Sequence, residues 1–196
     1  MIYRICYVLA RIALALWHPV FRVSGRENIP QDRNVLICPN HSGFADPIWV
    51  VFALRPKRCP KIMAKANLLK IPLLGALLKH IGVFGVRRGE NDMAAVKTGL
   101  KVLREGENLL LFPEGTRVRP WKTITPKSGA ILFSVRTGTP ILPVWLEPKR
   151  FPFSPLHCVV GEPYLPQIKA EKPSTEELHT MAADLIARIY ALEERK

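Results

Sequence analysis

Six short runs of consecutive apolar residues divide this chain: NVLIC from Asn34 to Cys38, KIMAK (61–65), GVFGV (82–86), LLLF (109–112), ILPVWLE (141–147) and LHCVVG (156–161). A half-exposed strand alternates apolar and polar residues, whereas a strand covered on both faces is apolar throughout. Helical patterns lie between most of these runs. Asp46-Pro47 opens IWVVFAL as N-cap and first helical residue, and the pattern stops near Arg55-Pro56. IPLLGALLKHIG reads as a short helix, Asn91 or Asp92 caps another through Arg104, and 127–137 reads as a third, closed by Gly138. Near the C-terminus Ser174 and Glu177 form a capping box, followed by an apolar stripe of Leu178, Met181, Leu185, Ile189 and Leu192. Strands of this kind alternating with helices predict an α/β domain with a mostly parallel central sheet flanked by helices. The 196 residues fit one domain, with no internal repeat, low-complexity segment or linker.

Charge narrows the partners. The 29 basic residues exceed the 16 acidic ones, giving +13 and a pI near 10.0. Such a field attracts nucleic acid, anionic lipid, phosphorylated substrates or an acidic carrier protein. Nucleic acid is not expected, because zinc-finger spacing, RNP-like aromatics and a helix-turn-helix pattern are missing. The basic residues are interleaved with aliphatic ones, as in NLLKIPLLGALLKHIG (67–82), and the mean hydropathy is +0.08. That mixture suits an anionic membrane surface. Cys6, Cys38, Cys59 and Cys158 are scattered and read as reduced, buried small hydrophobes.

The first segment, MIYRICYVLARIALALWHPVF, places Arg4, Arg11 and His18 seven residues apart. On a helix that step drifts by only about 20°, so the three form a narrow polar stripe on an otherwise apolar cylinder. The uncharged runs are shorter than the ~20 residues that spanning requires. The expectation is an amphipathic helix lying in the membrane interface over residues 1–23, with the main domain over 24–196.

Two polar stretches follow apolar runs: NHSGFADP at 40–47 and FPEGTR at 112–117. In a parallel sheet, functional groups gather beyond the carboxyl ends of strands. His41 is suited to take a proton near neutral pH, and Asp46 to hold its other ring nitrogen. The residues alone leave two readings open for this pair, a base with its orienting carboxylate or a helix cap beside an unrelated His. A metal site is not expected, since no third His or Cys accompanies the pair. A serine nucleophile is not expected either: no G-x-S-x-G elbow is present, so any base would act on a substrate hydroxyl.

NHSGFAD resembles the N-H-x4-D motif of the glycerolipid acyltransferases, the family that contains the lysophosphatidic acid acyltransferases. FPEGTR is similar to that family's F-P-E-G-T-R motif without a change. GVFGVRR (82–88) resembles its glycine-to-arginine segment, and TPILPVWL (139–146) its proline-bearing strand. The resemblance covers about residues 24 to 165. Two places depart from the pattern: Arg87 stands where the family often has Asp, and Gly43 where it commonly has Ser.

The resemblance implies acyl transfer from acyl-CoA or acyl carrier protein to the free hydroxyl of lysophosphatidic acid, with no cofactor. His41 would be the base and Asp46 its orienter. Arg88 and Arg117 would hold the acceptor phosphate, with Thr116 beside them, and Lys127 would assist. Glu114 would position the acceptor's glycerol, and the turn at Gly115 would offer amides to the oxyanion. Another lysolipid, glycerol 3-phosphate, or a catalytically silent lipid-binding role stay open as alternatives. A peripheral or monotopic place on the cytoplasmic face of the cell membrane is expected.

Overall fold

The computed structural model describes residues 8, 12, 16–56, 59–87, 92–118, 126–148, 153–168 and 173–196. One sheet contains β1 (Phe21–Ser24), β2 (Leu36–Pro39), β3 (Lys61–Lys65), β4 (Val83–Val86), β5 (Leu109–Leu110), β6 (Ile141–Leu146) and β7 (Leu156–Val160), in the order β1-β7-β6-β2-β5-β3-β4. All neighbouring strands are parallel except β6 and β7. The helices that cover it are α1 (Asp46–Leu54), α2 (Leu74–His80), α3 (Met93–Arg104), α4 (Gly129–Thr137) and α5 (Thr175–Ala191).

The continuous apolar runs follow from this layering. Within β2, Ile37 packs into a cluster with Trp49, Val50 and Ala53 of α1. Its neighbours Leu36 and Cys38 pack on the opposite face, with Leu103 of α3, Ile131 of α4, and Leu185 and Ile189 of α5. Both faces of the sheet are therefore covered, and a polar residue in β2 would be buried on either side. Burial pushes the Cys38 thiol up, away from the reactive thiolate.

The helix ends follow their local chemistry. Asp92 caps α3 by accepting the Ala95 N–H at 3.1 Å, and Ser174 caps α5 by accepting the Glu177 N–H at 3.1 Å. Gly138 closes α4 with φ 66°.

Two features differ from the sequence expectations. β1 occupies residues expected to end the N-terminal helix, and Phe21 pairs with Leu156, so the boundary at residue 23 falls inside a strand. Secondly, His18 does not share a lipid-facing stripe. The helical residues end at Trp17, and His18 is buried, its Nδ1 2.8 Å from the Ser154 carbonyl and its ring edge-on to Trp49 at 5.4 Å. The ring satisfies its polar atom inside the domain rather than at a lipid surface. Arg4 and Arg11 lie outside the described residues. No helix among the described residues is long and apolar enough to cross a membrane.

Candidate active site

β2 and β5 are parallel neighbours, with Leu36 beside Leu109. The loops that leave their carboxyl ends therefore meet, and they are the two polar stretches. Asn40 fixes the first loop at its root. Its side-chain amide donates to the Leu146 carbonyl at 2.8 Å, and its oxygen accepts the Leu146 N–H at 2.7 Å. A buried side chain thus prolongs the pairing of β2 with β6 by one more rung.

His41 follows, with its side chain 13% exposed. Its Nδ1 lies 2.9 Å from Oδ2 of Asp46, which is completely buried. The same oxygen accepts the N–H of Ser42 at 2.7 Å and of Gly43 at 2.8 Å. Three donors on one oxygen suit a carboxylate anion, which accepts only. Asp46 was expected to cap its helix, but the cap position belongs to Ala45 and Asp46 is the first residue of α1. Its side chain reaches back and closes the loop upon itself, so the carboxylate beside His41 Nδ1 is also what shapes the loop. The contact at Gly43 runs through the backbone, so the missing Ser side chain leaves it intact. Phe112 stacks on the imidazole at 4.0 Å with 25° between the planes, and it limits ring rotation.

The second loop joins the first through its backbone and through Glu114. The Val118 N–H donates to the His41 carbonyl at 2.7 Å. Glu114 is 3% exposed. Its Oε2 accepts the His41 N–H at 2.9 Å and its Oε1 accepts the Tyr190 hydroxyl at 2.8 Å. Burial raises this carboxyl to about 7, while those two donors hold it down and the charge of Asp46 pushes it up. Both oxygens of Glu114, the carboxylate expected to meet the acceptor's glycerol, are thus engaged beside the backbone of His41. The φ of 68° at Gly115 makes the turn, and its own N–H donates to the Phe112 carbonyl at 3.0 Å.

Thr116, Arg117 and Lys127 are exposed at the rim of this turn. The Lys127 stem packs over Gly115, where an added Cβ would lie 3.0 Å from Lys127 Cγ. Arg88 lies outside the described residues. Arg87 is exposed, with its Nε 3.5 Å from Asp92 and its backbone N–H donating to the same carboxylate at 2.9 Å. Those backbone donors, Arg87 first and then Ala95, hold Asp92 below the usual carboxylate range. Among the described residues no cluster of His, Cys, Asp or Glu has the makings of a metal site.

Sequence reasoning gave no role to Asn40, Phe112 or Tyr190. Asn40 and Phe112 sit in the quoted motifs, and their places at strand ends were the available signal. Nothing in the sequence marks Tyr190, which reaches the site only through the packing of α5.

The chain is similar to known proteins. A family model described as Acyltransferase matches residues 20–147. The chain is 30% identical over 198 residues to the 1-acyl-sn-glycerol-3-phosphate acyltransferase of Bacillus subtilis, covering 98% of each. It is 39% identical over 150 residues to the protein of the same name from Borreliella burgdorferi, covering 73% of this chain and 59% of that one. The crystal structure of the 1-acyl-sn-glycerophosphate acyltransferase PlsC from Thermotoga maritima superposes with a TM-score of 0.68 at 27% identity. That match covers 94% of this chain and 76% of the other.

Proposed function

This chain belongs to the acyltransferase family, and from that premise we propose that it transfers a fatty acyl group from an acyl thioester to the free hydroxyl of lysophosphatidic acid, giving phosphatidic acid. The observation that carries the chemistry is the His41 Nδ1 to Asp46 contact of 2.9 Å. Asp46 holds the Nδ1–H tautomer, which leaves Nε2 as the basic nitrogen. Nε2 takes the proton of the acceptor hydroxyl as its oxygen attacks the thioester carbonyl. The tetrahedral intermediate then collapses, the carbon–sulfur bond breaks, and the imidazolium returns the proton to the leaving thiolate. The acyl group passes directly to the acceptor. The exposed guanidinium of Arg117 and ammonium of Lys127, with Arg88, bind the acceptor phosphate. The donor is acyl-CoA or acyl carrier protein, both of which carry the negative charge that a +13 chain attracts.

The reading includes a peripheral place on an anionic membrane, on its cytoplasmic face. β1 and β7 run opposite to the other strands, so their amino ends lie at the carboxyl ends of β2 and β3. Leu16, Trp17 and Phe153 precede the former; Phe44, Ile71 and Leu73 follow the latter. All six are exposed, Leu73 by 89%, and all stand at the end of the sheet that carries His41. Lys65 and Lys70, both exposed, stand beside Leu73 in sequence and supply charge for lipid phosphates.

The test is His41→Ala with purified protein, a panel of acceptors and both donors, and products identified by mass spectrometry. Loss of roughly 100- to 10,000-fold in turnover is expected. A variant keeping more than half of the parent rate refutes the base, and a faster reaction with glycerol 3-phosphate or another lysolipid refutes the acceptor.

A further inference from the structure

Glu114 joins the loop of His41 to a distant part of the chain. Its Oε2 holds the backbone N–H of His41, and its Oε1 holds the hydroxyl of Tyr190. Tyr190 is in the last turn of α5, beyond residue 147 where the family match ends. We propose that Tyr190 is a positioning residue for the reaction: its hydroxyl sets the Glu114 carboxylate, and the carboxylate sets the backbone from which the His41 base projects.

The anchor is firm enough for that task. Ala182, Leu185 and Ile189 of α5 are fully buried against the sheet. The Tyr190 ring packs against the cluster of Trp145, Val159 and Leu192. A hydroxyl on such a helix has little freedom, so it selects one carboxylate orientation. That orientation aims the second oxygen at the His41 N–H, and the Asp46 contact aims the ring from the other side. The base is thus held at its backbone and at its Nδ1 by two separate carboxylates. The charged and titratable groups that act on Glu114 are Tyr190, His41 through its amide, and Asp46. An ionised Glu114 accepts from both donors at once; a protonated one carries its own hydrogen into that space.

The inference rests on His41 being the base, and the experiment separates the two. Tyr190→Phe keeps the ring and removes only the hydroxyl. The expected result is a kcat lower by roughly tenfold with both KM values within about twofold of the parent, the pattern of an interaction that matters only in the transition state. The acid limb of the kcat–pH profile moves to higher pH, because the carboxylate has lost a donor that favours its charged form. Tyr190→Phe has no added effect in a Glu114→Gln background, since the hydroxyl acts through that carboxylate. Glu114→Gln alone shows the same kcat-only loss, which keeps the test available if Tyr190→Phe folds poorly. An unchanged kcat and pH profile per folded Tyr190→Phe molecule overturns the inference, as do independent, multiplying effects of the two substitutions. Activity surviving in His41→Ala refutes the base itself, whereas a dead His41→Ala beside a neutral Tyr190→Phe refutes only the role of Tyr190.

Discussion

Oδ2 of Asp46 receives the Nδ1 of His41 at 2.9 Å while it also gathers the N–H groups of Ser42 and Gly43. One atom therefore sets both the tautomer of His41 and the path of its loop. Asp46→Asn offers a single amide oxygen and a competing pair of N–H donors. Turnover is expected to fall roughly 100- to 10,000-fold, as for loss of the base itself. A stopped assay at saturating donor and acceptor, alongside circular dichroism to verify the fold, gives the answer. A loss below about fivefold would show that Asp46 is a loop brace alone.

Glu114 imposes a pH dependence on stability. Its folded value, about 7, lies above the ordinary 4.5, so between those values the native state binds more protons than the unfolded one. The contribution is fully present below pH 4.5 and is lost as pH rises through about 7. Glu114→Gln does not titrate. The melting temperature of the parent relative to that variant is therefore expected to decline from pH 5 to pH 8, by the equivalent of roughly 1–3 kcal/mol. A difference that stays flat over that range, or that grows in favour of the parent, contradicts the raised carboxyl.

Asn40 exchanges two hydrogen bonds with the backbone of Leu146 in a fully enclosed setting. Asn40→Ala leaves a buried N–H and a buried carbonyl without partners, at about 1–3 kcal/mol each. Chemical denaturation is expected to show a midpoint shift of that size with an unchanged slope. Asn40→Asp restores the acceptor only and should recover part of the loss.

Arg117 is exposed at the rim of the turn that follows β5. Arg117→Ala is expected to raise KM for a phosphorylated lysolipid by about tenfold or more, the effect of losing a charge-assisted contact, with the donor KM almost unchanged. Steady-state kinetics with each substrate varied in turn decides it. Equal effects on both substrates would place the guanidinium at the donor instead.

Leu73, 89% exposed, stands at a positive φ of 60° just before α2. Leu73→Asp removes apolar area and adds a charge that anionic lipid repels. Sedimentation with anionic vesicles is expected to show binding weakened by about tenfold or more, while transfer to a short-chain, water-soluble acceptor persists. Unchanged sedimentation would separate this turn from the lipid-contacting surface.

The α/β layering was legible in the sequence because strands such as β2 and β6 are apolar on consecutive residues, which only a doubly covered sheet requires. β1 was hidden for the opposite reason. It is a four-residue edge strand with alternating burial, joined to an apolar helix pattern that runs into it. His41, Asp46, Glu114 and Arg117 were legible as a group because they stand in two compact stretches after strands. What each one touches was not. Glu114 holds the His41 N–H and the Tyr190 hydroxyl, and the Gly115 amide bonds within its turn. Long-range contacts such as Tyr190 with Glu114 have no local signature, since they exist only once α5 has docked.

The hydrogen bonds between the two loops run in both directions: Val118 N–H to the His41 carbonyl, and His41 N–H to Glu114. They form a clasp that ties each loop to the other. His41 and the turn that follows β5 are thereby tied to one another at two points. Damage at Glu114 or Val118 is therefore inherited by the loop of His41 without any contact to its ring.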